Sequence, residues 1–161
     1  MATNYATVTW DQLHRDARTL ASALMARGEF KGIVAVTRGG LIPAAIIARE
    51  LDCRLVESIS VISYSGESAQ DQKEPRVVKA PIAAGDGEGF LVIDDLVDSG
   101  ETAKVVRDVL PKAHFACLYA KPNGKPHTDQ YVMEVAQDTW VLFPWDTAPL
   151  FVPPLARNLG A

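Results

Sequence analysis

The stretch FLVIDDLVDSGET, Phe90–Thr102, decides how the rest of the chain is interpreted. Its apolar beginning, Phe90–Ile93, predicts a buried β-strand. Asp94 and Asp95 follow directly, although burying unpaired carboxylates costs several kcal/mol each. In α/β proteins the ligand site lies at the carboxyl ends of the strands. We therefore interpret the two acids as part of a binding site.

Two kinds of chemical group meet within this stretch. Asp94 and Asp95 alternate across the strand, so they should point to opposite sides and could bind vicinal sugar hydroxyls, a divalent metal, or one of each. Residues 98–102 predict a turn that runs into a helix N-terminus, whose N–H groups and hydroxyls suit a phosphate monoester. A ribose 5-phosphate would satisfy both ends. The alternative is a strand that ends in a solvated acidic turn before an N-capped helix.

Alternation of strands and helices along the chain predicts the fold class. Helical spacing begins at Trp10, with Thr9 as the cap and Gly28 at the end of the last turn. The order indicates an α/β fold with a mainly parallel twisted sheet flanked by helices. The other predicted elements are strands 31–36, 55–64, 90–93, 114–120, 131–135 and 140–143, and helices 43–51 and 101–110.

Residues 65–89 contain few apolar anchors before Val77 and many Gly, Pro and charged residues. We expect a mobile active-site loop over about 64–80, with room for a short hairpin. Loops of this length are uncommon inside compact domains unless they are functional, as lids are. The alternative is a disordered segment without function.

Length and composition limit the classes of protein. The 161 residues suit a single domain, 1–161, and a net charge of -4 argues against broad nucleic-acid binding. The two cysteines, Cys53 and Cys117, lie far apart beside apolar residues, which predicts buried thiols rather than a zinc site or a disulfide. No apolar run approaches the roughly 18 residues of a membrane span. We expect a cytoplasmic protein without a membrane span, while a loose peripheral membrane contact stays open.

Residues 90–102 resemble the phosphoribosyl-pyrophosphate signature of the type I phosphoribosyltransferases. That signature is an apolar strand, two acids, two apolar residues, then Asp, a small hydroxyl residue, Gly, any residue and Thr. Further segments resemble the bacterial purine members of this family, in the family's order. They are TWDQLHRDARTLASAL (9–24), KGIVAVTRGGLIPAAIIAREL (31–51), PKAHFACLYAKPNGKP (111–126), QDTWVLFPWD (137–146) and FVPP (151–154).

The resemblance implies a purine-salvage enzyme that uses Mg²⁺. Such an enzyme transfers ribose 5-phosphate from 5-phosphoribosyl 1-pyrophosphate to N9 of guanine or xanthine, and more weakly of hypoxanthine, giving GMP, XMP or IMP and pyrophosphate. A small hood over residues 121–154 would cover the base, and a homotetramer is expected. Two alternatives stay open: a noncatalytic nucleotide-sensing regulator on the same fold, and a phosphoribosyltransferase for another base.

The resemblance also implies which residues bind 5-phosphoribosyl 1-pyrophosphate. Arg38 and Gly39 match a pyrophosphate loop that contains a non-proline cis peptide, although alone they indicate only a turn. Asp95 matches the Mg²⁺ ligand. Glu101 stands where the family often has Gly, and Lys73 aligns with an arginine of a shorter loop. The implied binding residues are Arg38, Gly39, Lys73, Asp94, Asp95, Leu96, Val97, Asp98, Ser99, Gly100, Glu101 and Thr102.

The purine side of the site follows from the same resemblance. Asp98 matches the acid near purine N7 and is our expected catalytic base. Lys121 matches the donor to the purine 6-oxo group, Trp140 the aromatic stacked on the base, and Val141 the residue whose backbone meets the 2-position. Without the resemblance, Lys121 would indicate a solvated surface lysine and Trp140 a core aromatic. We assign Asp146 to a turn rather than to a second Mg²⁺.

Overall fold

The computed structural model describes residues 4–64 and 73–147. Its helices and strands follow the predicted alternation. The helices are α1 (Trp10–Met25), α2 (Leu41–Glu50) and α3 (Glu101–Val109). The strands are β1 (Asn4–Thr7), β2 (Gly32–Thr37), β3 (Val56–Tyr64), β4 (Lys73–Lys79), β5 (Phe90–Val97), β6 (His114–Ala120), β7 (Gln130–Glu134) and β8 (Thr139–Leu142). Short 3-10 helices cover Lys125–His127 and Pro144–Asp146.

One sheet organises the described chain, with strand order β4-β3-β2-β5-β6-β7. Every neighbouring pair in it is parallel except β3 and β4, which confirms the predicted mainly parallel sheet. Apolar residues of α1 and α2 pack on one face, and those of α3 pack on the other. Strand β5 lies between β2 and β6, and both of its faces are covered. Leu91 packs with the residues of α1 and α2, and Val92 packs with those of α3. The carboxyl end of β5 therefore projects from the middle of the sheet.

Strand β5 extends further than the sequence predicts. We expected it to end at Ile93, but it continues through the acids to Val97. Parallel pairing with β6 supports this extension, since Asp94 lies opposite Cys117 and Val97 opposite Ala120. The two carboxylates are thus held by a regular strand rather than by a loop.

The segment predicted as a mobile loop is partly a hairpin. Residues 73–79 form β4, which pairs antiparallel with β3, as between Val61 and Val77. These two valines also pack against the core, which explains why the chain returns to the sheet edge here. Residues 65–72, the rest of that predicted loop, lie outside the described residues.

Further features of the described residues extend, correct or match the sequence predictions. Strand β1 was not predicted; it pairs in parallel with β8, with Asn4 opposite Thr139. Cys117 is buried as expected, but Cys53 is partly exposed, because it lies in the turn after α2. Among the described residues, no helix has the length and apolar character that crossing a membrane requires. Thr9 caps α1 as predicted, accepting the N–H of Gln12 at 3.2 Å.

Gly40 is expected to be intolerant of any side chain, because α2 begins almost in contact with β5. A Cβ at Gly40 would lie 2.3 Å from the carbonyl oxygen of Ile93 and 2.7 Å from that of Val36. Both neighbours are backbone atoms, so Gly40→Ala should lower the free energy of unfolding by about 1–3 kcal/mol. Urea denaturation measures this loss.

The matched control is Gly85→Ala, where no atom lies within 4 Å of the added Cβ but φ is +55°. That variant reports only the cost of a left-handed backbone, about 1 kcal/mol. Equal losses in the two variants would contradict the proposed close approach.

Candidate active site

The ends of β2, β5 and β6 bring three sequence motifs together. Parallel pairing aligns β2 with β5 at Ala35 and Ile93, and β5 with β6 at Val97 and Ala120. The segments that follow these strands therefore leave the same edge of the sheet. They carry the loop 38–40, the acids of 94–98 and Lys121. This edge is where a doubly wound sheet places its ligand.

Asp94 and Asp95, hereafter the acidic pair, are held by their own strand. Asp94 is 8% exposed, and its Oδ1 accepts the N–H of Asp95 at 2.9 Å. Asp95 Oδ1 accepts the N–H of Leu96 at 2.7 Å. Each carboxyl group accepts the N–H of the residue that follows it, and the charge of Asp95 acts on Asp94. The two side chains nevertheless line different cavities, Asp94 the one at residues 98–102 and Asp95 the one beside Arg38.

Burial makes it unfavourable for both carboxyl groups of the acidic pair to be ionised at once. Desolvation is the main cause that raises the pKa of Asp94 well above its ordinary value, and the charge of Asp95 adds to it. Desolvation also raises the pKa of Asp95, with a further contribution from the charge of Asp146. A shared proton or a bound cation would relieve this repulsion.

The loop after β2 lies directly against the acidic pair. A Cβ at Gly39 would fall 2.2 Å from Asp95 Oδ2, so glycine is required for this contact. Arg38, which is exposed, lines a cleft of about 600 Å³ together with Asp95 and Asp146. The Thr37–Arg38 peptide is cis, as the resemblance implies. Asp146 Oδ2 accepts the N–H of Phe143 at 3.0 Å, so it closes a turn as predicted while facing the same cleft.

Residues 98–102, hereafter the cradle, comprise the turn after β5 and the first two residues of α3. Gly100 has φ +87°, a left-handed conformation that suits glycine, and α3 begins at the next residue. The N–H of Glu101 lies 3.4 Å from Ser99 Oγ, a weak contact that leaves the first turn of α3 open to an acceptor. A cavity of about 110 Å³ is lined by these residues and by Asp94. A helix N-terminus with this shape can bind a phosphate group.

Asp98 is oriented by two donors from different segments. Lys121 Nζ lies 2.7 Å from Asp98 Oδ2, and Gln137 Nε2 lies 2.7 Å from Asp98 Oδ1. Lys121 is only 5% exposed, so the interpretation as a solvated surface lysine is wrong. The role of Gln137 was missed, because nothing in QDTW distinguishes a site amide from a surface one. The carboxylate of Asp98 is half-exposed and faces outward between these two donors.

The remaining predicted residues are less closely joined to this centre. Trp140 lies on β8 opposite Tyr5 and is 61% exposed, so the interpretation as a core aromatic is wrong. It lines neither the cleft nor the cradle cavity. Val141 is buried, so only its backbone is available to a ligand. Lys73 begins β4 opposite Tyr64, and its side chain lies outside the described part of the chain.

The donor set at the acidic pair bears on which cation could bind. Within residues 4–64 and 73–147, no group of three or more His, Cys, Asp or Glu side chains could hold a metal ion. A cation here would be bound by one or two carboxylates together with oxygens of a ligand. Mg²⁺ is bound in this way where its substrate carries phosphates. The carboxylates of the acidic pair therefore fit Mg²⁺ better than Zn²⁺.

This arrangement has counterparts among known proteins. The sequence model of the phosphoribosyl transferase domain family matches residues 9–151 of this chain. A xanthine-guanine phosphoribosyltransferase from Gluconobacter oxydans is 75% identical over 158 residues, covering 98% of this chain and 94% of the relative. Another from Desulfotalea psychrophila is 54% identical over 148 residues, covering 92% and 90%. The fold matches a purine phosphoribosyltransferase from Pyrococcus horikoshii with a TM-score of 0.76 and 29% identity, covering 92% and 99%.

Asp94→Asn is expected to raise the melting temperature at pH 7 when no divalent cation is present. The raised pKa of Asp94 means that the folded state binds this proton more tightly than the unfolded chain does. The stability that this proton contributes is complete below the ordinary value of 3.8 and is lost as the pH rises through the folded-state pKa. Asn keeps the shape of the side chain without its charge, so the gain should be a few degrees at pH 7 and disappear near pH 4.

Thermal melts of both proteins across this pH range measure the effect. Asp86→Asn is the control, because Asp86 is exposed and a hydrogen bond from Lys112 lowers its pKa. Removing that charge should give no gain at pH 7. A melting temperature of Asp94→Asn at or below that of the wild type would show that desolvation does not govern this site.

Proposed function

The chain belongs to the phosphoribosyltransferase family and is an enzyme of the xanthine-guanine phosphoribosyltransferase group, and we propose that it salvages 6-oxopurines with the help of Mg²⁺. The proposed reaction transfers ribose 5-phosphate from 5-phosphoribosyl 1-pyrophosphate to N9 of guanine or xanthine, and more weakly of hypoxanthine. The products are GMP, XMP or IMP and pyrophosphate. A homotetramer stays a prediction from the family resemblance, and a cytoplasmic location stays a prediction from the sequence.

One observation carries the proposal. The acidic pair and the cradle follow one another at the end of β5, and Lys121, which follows β6, is bonded to Asp98. Lys121 Nζ and Asp98 Oδ2 are 2.7 Å apart, and Asp98 opens the cradle whose helix N-terminus suits phosphate. A ligand that fills these positions needs hydroxyl groups for the acidic pair, a phosphate for the cradle and a heterocycle beside Asp98 and Lys121. A phosphoribosyl group joined to a purine carries all three.

The phosphoribosyl half of the substrate is bound by groups of opposite character. N–H groups at the start of α3 and the hydroxyls of Ser99 and Thr102 can donate to the 5-phosphate. The acidic pair can accept hydrogen bonds from the ribose 2- and 3-hydroxyls. Arg38 and the loop 38–40 border the cleft that contains Asp95, where the pyrophosphate would lie. Lys73 is proposed as a further pyrophosphate contact.

Asp95, with Asp94 beside it, is the residue that would hold Mg²⁺. Bound there, the ion supplies positive charge to the leaving pyrophosphate. The close approach of Gly39 to Asp95 places the pyrophosphate loop beside that carboxylate. Arg38 lines the same cleft and can add positive charge, so the leaving group would be stabilised by residues from β5 and from the loop after β2.

We assign to Asp98 the transfer of the proton that the base must lose. As N9 of the base forms its bond to C1 of the ribose, the bond from C1 to the pyrophosphate oxygen breaks, and the proton of the base passes to Asp98. Gln137 and Lys121 fix the orientation of this carboxylate through both of its oxygens. General-base help of this kind typically contributes about 10²- to 10⁴-fold in rate.

Lys121 is suited to select a 6-oxopurine. An ammonium group carries three donors and no acceptor, so Lys121 can keep its bond to Asp98 and donate a second hydrogen to the 6-oxo oxygen. The 6-amino group of adenine would instead present donors to a buried ammonium, which is unfavourable. We assign Trp140 to stacking on the base, which its exposed ring permits, and the backbone of Val141 to the 2-position.

Turnover of guanine, xanthine and hypoxanthine with 5-phosphoribosyl 1-pyrophosphate and Mg²⁺ is the expected result, with little turnover of adenine. Asp98→Asn should lower kcat/KM for guanine by about 10²-fold or more, because Asn cannot accept the proton. Nucleotide formation is followed in parallel for the four bases. Tight binding of 5-phosphoribosyl 1-pyrophosphate without turnover of any base would overturn the enzyme and favour a nucleotide sensor.

Asp86→Asn is the matched control for this experiment. Asp86 and Asp98 have similarly exposed side chains, 50% and 52%, and each lies 2.7 Å from a lysine Nζ. Asp86 lies outside the site, so its variant should keep wild-type kcat/KM. A similar loss in both variants would mean that the change at Asp98 acts on stability rather than on proton transfer.

A further inference from the structure

Glu101 is an unfavourable residue for the cradle in which it lies. It opens α3 and lines the cavity that would receive a phosphate. A carboxylate in the first turn suits the dipole of the helix. A phosphate dianion beside the same carboxylate would be repelled by it. The chain must therefore neutralise Glu101 or lose affinity for phosphate.

Lys104 is positioned to neutralise this carboxylate. Its Nζ lies 2.6 Å from Glu101 Oε1, one helical turn away. A hydrogen bond from Lys104 is the main cause that lowers the pKa of Glu101, and its charge is the second cause. The two side chains are 50% and 56% exposed, and ion pairs with such exposure contribute little to stability. Loss of this pair should therefore cost little folding stability, so a variant at Lys104 can report on the cradle.

His127 approaches the same residues from another segment. A Cβ at Gly100 would lie 2.0 Å from His127 Cδ2, so the ring rests against the backbone of the cradle. Arg107 Nε donates to the carbonyl oxygen of His127 at 3.1 Å and thereby fixes its position. The charge of His127 also contributes to lowering the pKa of Glu101, after the contributions of Lys104.

We propose that Lys104, assisted by His127, neutralises Glu101 and holds its carboxylate so that the cradle can accept a phosphate dianion. The inference rests on the proposed function, in which this dianion is the 5-phosphate of the substrate. Lys104 and His127 are positioning residues, because they act on the phosphate through Glu101. A residue at position 101 without charge would make Lys104 dispensable for phosphate binding.

Isothermal titration with ribose 5-phosphate at low ionic strength tests this dependence directly. Lys104→Met should weaken binding by about five- to tenfold, since it leaves the charge of Glu101 uncompensated. Glu101→Gln should bind as well as the wild type or more tightly. The double variant Glu101→Gln/Lys104→Met should return to within about twofold of Glu101→Gln. His127→Gln should cause a smaller loss than Lys104→Met, and Glu101→Gln should remove that loss as well.

The matched control is Lys112→Met. Lys112 has 56% side-chain exposure and lies 2.7 Å from Asp86, but it is remote from the cradle. It should leave ribose 5-phosphate affinity unchanged. Raising the salt concentration should shrink the loss in Lys104→Met, because exposed charges are screened. Equal losses in Lys104→Met and in the double variant would overturn the proposal, since Lys104 would then bind the phosphate itself or support the fold.

The titration separates this inference from the proposed function. Binding of ribose 5-phosphate does not require transfer to a base, so the dependence on residue 101 can be measured in a protein that shows no turnover. If wild-type protein binds ribose 5-phosphate but forms no nucleotide, the proposed function fails while the variants still decide the role of Lys104. If the wild type does not bind ribose 5-phosphate, the cradle does not receive phosphate and the inference is overturned.

Discussion

The close approach of the loop after β2 to the end of β5 is the constraint on which the site depends. Gly39 and Gly40 lie where any side chain would meet the carboxylate of Asp95 or the carbonyl oxygens of Ile93 and Val36. This contact places the pyrophosphate loop beside the acidic pair. It also starts α2 close to the sheet, so the packing of one helix and the chemistry of the cleft have the same cause.

Three different polar environments follow one another along β5 and the turn after it. The acidic pair is largely desolvated, while Asp98, a few residues on, is half-exposed and bonded to Lys121 and Gln137. Helix N–H groups follow immediately. A ligand with hydroxyls and a phosphate can bridge these environments, whereas either group alone would meet only one of them. Differences in burial over one short segment thus give each carboxylate a different role.

Much of the fold could be predicted from the sequence, because the strands of a parallel sheet are continuous apolar runs and the helices have clear boundaries. The acidic pair and the cradle could be predicted because they lie next to each other in one motif, whereas Lys121 was assigned only by the resemblance. Strand β1 could not, since NYAT is short and polar and gains its pairing only from β8. Gln137 could not either, because its contact with Asp98 joins residues far apart in the chain. Trp140 was assigned to the base by resemblance. Its side chain is 61% exposed, so its contact with the base stays a prediction.

The pairing of β1 with β8 has a consequence for the order in which the protein folds during synthesis. Asn4 donates to Asp138, a partner 134 residues later in the chain. Contacts of such high sequence separation form late, because the loop they close is entropically costly. Residues 4–7 must therefore wait unpaired until residues 139–142 have been synthesised. The central sheet can form earlier, so the two-stranded sheet that carries Trp140 would be completed last.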